Sequence, residues 1–189
     1  MTLFQNVRKG LLPARLTVDE VYDLTAAGVL KEGDNFELID GEIVPMAAAK
    51  ADWHEITKSR LNRAIVPALA GDARLYIEAS VTLSGNTLVE PDLAVWNRGI
   101  LPRQVRGPDL LLVIEVADSS IAYDLKVKAP IYAAHGVRDY WVVDAVRNTI
   151  RVHRAPVDGA YTDVEEYEAH DSVAALLLPG IAIRLDALD

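Results

Sequence analysis

Two carboxylates stand in runs of sequence that otherwise read as buried strands, and they constrain the fold more than any other feature. Residues 93–96, 110–116 and 140–143 are short, continuous and apolar, the pattern of strands covered on both faces. Asp92 opens the first run and Glu115 lies within the second. A buried carboxylate costs several kcal/mol even after relaxation unless a cation or a proton neutralises it. The fold must therefore supply that compensation where the strands end. Lys128, on the segment that follows, is a candidate third member.

The run at 110–116, a helical segment and the run at 139–144 make a βαβ unit, whose strands should be parallel with a right-handed crossover. Ser119 and Ser120 can cap the segment and Gly136 stops it. Its regular part is expected to begin near Pro130, because proline is tolerated in a first helical turn and not deeper. Upstream, Thr17 and Glu20 form a capping box, followed by Val18, Val21, Leu24 and Ala27 at helical spacing up to Gly28. Asp40-Gly41 joins two β-prone runs as a hairpin ending near Pro45. A second box-like start at residues 52–55 opens a helix through Ile56, Leu61, Ile65 and Leu69, which Pro67 should shorten. Residues 75–83 and 88–96 then read as one hairpin around Ser84-Gly85-Asn86-Thr87. In simple register Glu78 stands opposite Leu93 and faces away from Asp92; a slip of one residue would reverse this. Residues 97–109 are a basic loop with Arg98, Arg103 and Arg106. Residues 150–153 and 161–168 pair beside the parallel strands, and the apolar tail at 173–185 should add cover and an edge strand.

These elements give an α/β (α+β mixed-sheet) fold. The 189 residues fit a single domain over 1–189, with 1–50 as an N-terminal helix and hairpin arm. Cysteine is absent, which excludes disulfides, thiolate metal sites and thiol nucleophiles. The apolar tail is interrupted by Pro179-Gly180 and is too short to span a membrane. The first residues lack the sustained apolar core of a secretory signal, so a cytoplasmic protein is expected. A net charge of −9 argues against a nonspecific nucleic-acid coat. It leaves room for a nuclease, whose bound metal adds local positive charge.

Two hard oxygen donors at the end of a sheet, with water completing the shell, suit Mg²⁺ or Mn²⁺. The arrangement resembles the PD-(D/E)XK nuclease superfamily, and more closely the bacterial Uma-type family of restriction-endonuclease-like proteins. The residues that carry the likeness are Phe36 to Ile43, His54, Pro91-Asp92, Ile114-Glu115-Val116, Tyr123-Asp124 through Lys128, Tyr132-Ala133 with Gly136-Val137, Tyr140 to Asp144, and Leu178-Pro179-Gly180. The resemblance implies a restriction-endonuclease-like core. It makes Asp92 and Glu115 metal ligands, with Val116 offering a backbone carbonyl. In the simplest superfamily pattern a lysine stands two positions after the glutamate, where this chain has Ala117. Lys128 matches the lysine that the Uma-type family carries on the next helix, with Lys126 as the lesser substitute and Asp124 placed to orient the amine.

His54 and Glu37 are further candidates for the site, as ligand, proton carrier or lateral approach to the metal. Arg98, Arg103 and Arg106 are candidate phosphate contacts because they lie between the two ligand strands. His135, His153 and His170 receive no role, and Tyr140 and Trp141 read as core or subunit contacts. The leading expectation is a Mg²⁺-dependent or Mn²⁺-dependent endonuclease acting on DNA as a homodimer. A catalytically silent nucleic-acid- or protein-binding module of the same fold is the alternative, and hydrolysis of another phosphodiester stays open.

Overall fold

In a computed structural model of the chain, which describes residue 9 and residues 15–31, 34–46 and 51–189, the apolar runs become the centre of a six-stranded sheet. The remaining N-terminal residues, with the secretory-signal reading that rests on them, lie outside the described part. Strand order is β10-β9-β8-β7-β6-β3, with β3 at Ala73–Ile77, β6 at Leu93–Asn97, β7 at Leu112–Ala117, β8 at Asp139–Asp144, β9 at Thr149–Val157 and β10 at Ala160–Tyr167. Only β7 and β8 pair in parallel within it, as the helical connection between them requires. The sheet is mixed and the fold class is α/β.

Both faces of the sheet are covered. On one, Leu93, Val95, Leu112, Ile114, Trp141 and Val143 meet Leu61 and Ile65 of helix α2 (Asp52–Ile65). On the other, Ala94, Trp96, Val113, Ala117, Tyr140 and Val142 meet Ala129 and Tyr132 of helix α3 (Ala129–Ala134). Helix α1 (Val18–Ala26), with the expected Thr17–Glu20 capping box, packs instead with Leu38 and Leu88. These belong to a separate four-stranded sheet ordered β2-β1-β5-β4, from β1 (Phe36–Ile39), β2 (Glu42–Pro45), β4 (Val81–Ser84) and β5 (Thr87–Val89). Its β1–β2 turn is at Asp40 and Gly41, both left-handed at φ 51° and 81°, the backbone that favours Asp-Gly in a two-residue hairpin.

Three sequence expectations change. The run 75–96 is one hairpin in the chain but serves two sheets: β4 and β5 pair in the smaller, β3 and β6 in the larger. A β-bulge between Thr82 and Ser84 shifts the register by one residue, so that Ile77 faces Leu93 and Glu78 stands opposite Asp92. Helix α2 starts from Ala51 without a side-chain cap, leaving Asp52 as its first residue. As expected, the regular helix begins beside Pro130, at Ala129; the turns before it, helical from Ile121, widen into a π-turn at Asp124–Lys128. That turn accommodates a proline, which lacks an N–H and crowds the carbonyl four residues earlier. The tail supplies Val173, Ile181, Ile183 and Leu185 to the core, but as its own two-stranded ribbon, β11 (Val173–Ala174) with β12 (Ala182–Ile183).

Gly107 locks the basic loop against the end of α3. A Cβ there would lie 1.8 Å from the carbonyl oxygen of His135, and backbone cannot yield as a flexible side chain can. Gly107→Ala should cost about 2–3 kcal/mol and lower Tm by roughly 5–10 °C in thermal denaturation. Gly99→Ala, which meets nothing within 4 Å, should leave Tm unchanged.

Candidate active site

Asp92 and Glu115 meet where β6 and β7 part. The ladder between these strands ends at Leu93 opposite Ile114, so the next register pair is Asp92 opposite Glu115. Pro91 just before it has no N–H to continue a ladder. The Asp92 N–H donates to Glu115 Oε2 at 3.4 Å, and the Val116 N–H donates to Asp92 Oδ2 at 2.8 Å. Both carboxylates are buried. A strand residue points its N–H and C=O to the same side, so the Val116 carbonyl also faces the gap that β6 leaves.

The π-turn brings Lys128 to the same place. Its Nζ donates to Glu115 Oε1 at 2.9 Å and lies 3.1 Å from Glu37 Oε1. Glu37, 1% exposed on β1, also accepts from the Glu90 N–H at 3.0 Å. Tyr132, one turn beyond Lys128, donates its hydroxyl to Glu115 Oε1 at 2.9 Å. The Asp124 carboxylate accepts from the Ser120 hydroxyl at 2.7 Å. Lys126 is exposed.

From the opposite flank, α2 contributes His54. Its Nε2 lies 3.1 Å from Asp92 and its Nδ1 3.1 Å from Glu55 Oε1. Lys58, one turn on and also buried, donates to Glu55 Oε1 at 2.9 Å and to Glu78 Oε1 at 2.6 Å. Glu78 gives its own N–H to the Asp92 carbonyl at 3.1 Å. The expectation that it faces away is thereby overturned: the Thr82–Ser84 bulge supplies the slip that reverses it.

Glu37, His54, Asp92, Glu115, Asp124 and Lys128 are among the residues that line a cavity of about 300 Å³. Burial pushes Glu115 up to about 8, Lys128 opposes it, and Asp92, Asp124 and Glu37 reinforce it. Burial likewise raises Asp124. Burial pulls Lys128 down, but Glu115, Glu37 and Asp124 outweigh it and hold the amine above its ordinary value. The ammonium therefore stays charged and is shared between Glu115 and Glu37. Tyr123, whose hydroxyl is buried without a hydrogen-bond partner among the described residues, is pushed up to about 12, first by burial. At neutral pH it keeps its proton and can donate it to an acceptor in the cavity.

None of the three loop arginines lines this cavity. Arg98 pairs with Asp72 at 2.9 Å, and Arg103 lies 3.5 Å above the Tyr22 ring. Arg106 donates to the carbonyls of Thr82, Arg103 and Val105. Among the described residues no group of three or more His, Asp or Glu side chains is arranged to hold a metal ion. Tyr132, Glu78 and Lys58 were not singled out from the sequence as members of this network. For Lys58 a signal existed, since positions 54, 58, 61 and 65 fall on one helical face.

Residues 18–186 match the family model described as "Uma2: Putative restriction endonuclease". Among solved structures, the chain superimposes on a "putative nuclease belonging to DUF820" from Anabaena variabilis ATCC 29413. The TM-score is 0.66 at 19% identity, over 90% of this chain and 96% of that one. A weaker overlap, TM-score 0.38 at 18% identity, relates 58% of this chain to 12% of the type IIG restriction endonuclease BpuSI. No curated protein matches the chain.

Proposed function

Because the chain belongs to the Uma2 family, we propose that it is an endonuclease hydrolysing phosphodiester bonds in DNA with a divalent cation, Mg²⁺ or Mn²⁺. The observation that carries this reading is an imbalance of charge. Four buried carboxylates, Glu37, Asp92, Glu115 and Asp124, line one cavity with a single buried lysine, Lys128. A divalent cation fits that deficit. Asp92, Glu115 and the Val116 carbonyl would hold it, and two carboxylates with waters completing the shell satisfy Mg²⁺. Such an ion, when bound, supplies a Lewis acid for the phosphate and lowers the pKa of water.

The chain's own residues divide the remaining work. Lys128 brings an ammonium that can offset charge developing on phosphate oxygens. Tyr132 and Lys128 fix the rotamer of Glu115, while His54 and the Val116 N–H fix that of Asp92. Tyr123 offers a donor to a phosphate oxygen within the cavity. A pair of copies in the cytoplasm would let two such sites cut both strands.

One observation favours a second reading, a silent module that binds nucleic acid or protein: no three-ligand group forms among the described side chains. Titration calorimetry with Mn²⁺, alongside incubation with supercoiled plasmid, separates the two. A resolvable binding event and nicked or linear product, both lost with chelator, are expected. The absence of both binding heat and cleavage would overturn the nuclease reading in favour of the module.

A further inference from the structure

Resting on the nuclease reading above, we propose that Lys58 and Glu78 are positioning residues of the same site: their ion pair, buried on the lysine side, acts through Glu55 to hold the His54 ring against Asp92. The inner face of α2 changes character along its length, with Leu61 and Ile65 apolar and His54 and Lys58 polar, yet all four are buried. A lysine is almost never buried without a partner. Here the ammonium is met by Glu78 at 2.6 Å and Glu55 at 2.9 Å.

Glu55 is the shared point. One oxygen, Oε1, serves both Lys58 Nζ and His54 Nδ1. The Lys58 hydrogen bond keeps the Glu55 carboxyl below its usual range, so it remains an acceptor. With Nδ1 committed to Glu55, Nε2 is the nitrogen that faces Asp92. A relay of four contacts thus runs from Glu78 through Lys58, Glu55 and His54 to Asp92. Neither Lys58 nor Glu78 lines the cavity, so both act from behind the site.

Glu78 holds Asp92 a second time, through its backbone. Its φ is +49°, a left-handed conformation that a glutamate rarely adopts and that persists only where surrounding structure enforces it. It occupies the point where the chain leaves β3 of the larger sheet for β4 of the smaller. From there its N–H bonds the Asp92 carbonyl while its carboxylate anchors Lys58. One strained residue therefore fixes the backbone of Asp92 and, through the relay, the partner of its side chain.

The test replaces Lys58 in the full chain and reads the imidazole nitrogens of His54 by NMR at fixed pH without metal, then Mn²⁺ affinity and plasmid cleavage. Lys58→Met should displace the His54 Nδ1 signal and lower Mn²⁺ affinity and cleavage about 10-fold to 100-fold, the usual effect of losing an outer-shell partner. Lys58→Arg should restore most of both. Leu61→Val, a change on the same helix face outside the relay, should lower Tm and leave the His54 signals in place. Should Lys58→Met not fold, Glu78→Gln tests the same relay with the side-chain volume retained. Unmoved His54 signals with unchanged affinity and cleavage would overturn the proposal, leaving a merely structural pair. If the wild-type chain neither binds Mn²⁺ nor cleaves, the nuclease reading fails, and the His54 signals alone decide the positioning role in the same two directions.

Discussion

Asp92→Ala and Glu115→Ala should each abolish divalent-metal-dependent cleavage of DNA, by at least about 10²–10³-fold, the scale of losing one group that stabilises transition-state charge. The two variants should differ in stability. Asp92 accepts from the buried Val116 N–H and faces His54, so its removal strands partners at a cost of about 1–3 kcal/mol. Glu115 also leaves partners behind, Lys128 and Tyr132, but it carries a burial penalty of its own. Its folded pKa is raised from 4.5 to about 8; the folded state therefore binds a proton that the unfolded state has lost, and that contribution to stability is full below pH 4.5 and gone above pH 8. Glu115→Gln should lack this dependence, so its Tm relative to the wild type should climb between pH 5 and 8 while its cleavage stays absent. Thermal melts across that range and a plasmid assay read both effects. Unchanged cleavage in both alanine variants would remove Asp92 and Glu115 from the assignment.

Lys128→Met should have the largest effect on stability. It leaves Glu37 and Glu115 buried beside each other with no ammonium between them, and removing one member of a buried ion pair costs about 3–5 kcal/mol. Cleavage should fall by about 10²-fold or more, because the same amine is the proposed offset for phosphate charge. Divalent metal should raise the Tm of this variant more than that of the wild type, since an added cation restores part of the missing charge. Lys126→Met, at an exposed position on the same π-turn, should change neither quantity. Equal loss in both variants would mean that the turn, and not the amine, is what matters.

Asp92 and Glu115 were legible because a carboxylate in an apolar run is conspicuous before any strand is paired. Lys128, His54 and Glu37 were legible through family likeness, since nothing local distinguishes a lysine that crosses to β7 from one that faces water. Tyr132 escaped because a core tyrosine and a tyrosine that donates to a buried carboxylate look alike on a helix. Glu78 was misplaced by simple register, as the bulge that moves it lies at Thr82 and Ser84, where no glycine announces an irregularity. Pro130 correctly marked where the regular helix begins, since α3 starts at Ala129. That the turns before it would widen into a π-turn depends on Asp124 and Lys128 both turning inward, a tertiary fact.

The hairpin shared by the two sheets also governs which changes of length the chain can tolerate. An extra residue in the turn at Ser84 to Thr87 leaves both ladders as they are and disturbs only the docking of the turn, whose Gly85 and Asn86 carbonyls accept from the Val18 and Gly41 N–H groups. The same insertion between Glu78 and Val81 would have to be looped out, or it would rotate every side chain of β3 to the opposite face of its sheet, exchanging covered for exposed positions. A change of length at one end of this single hairpin thus puts two docking hydrogen bonds at risk, while at the other it puts the register of a whole strand at risk.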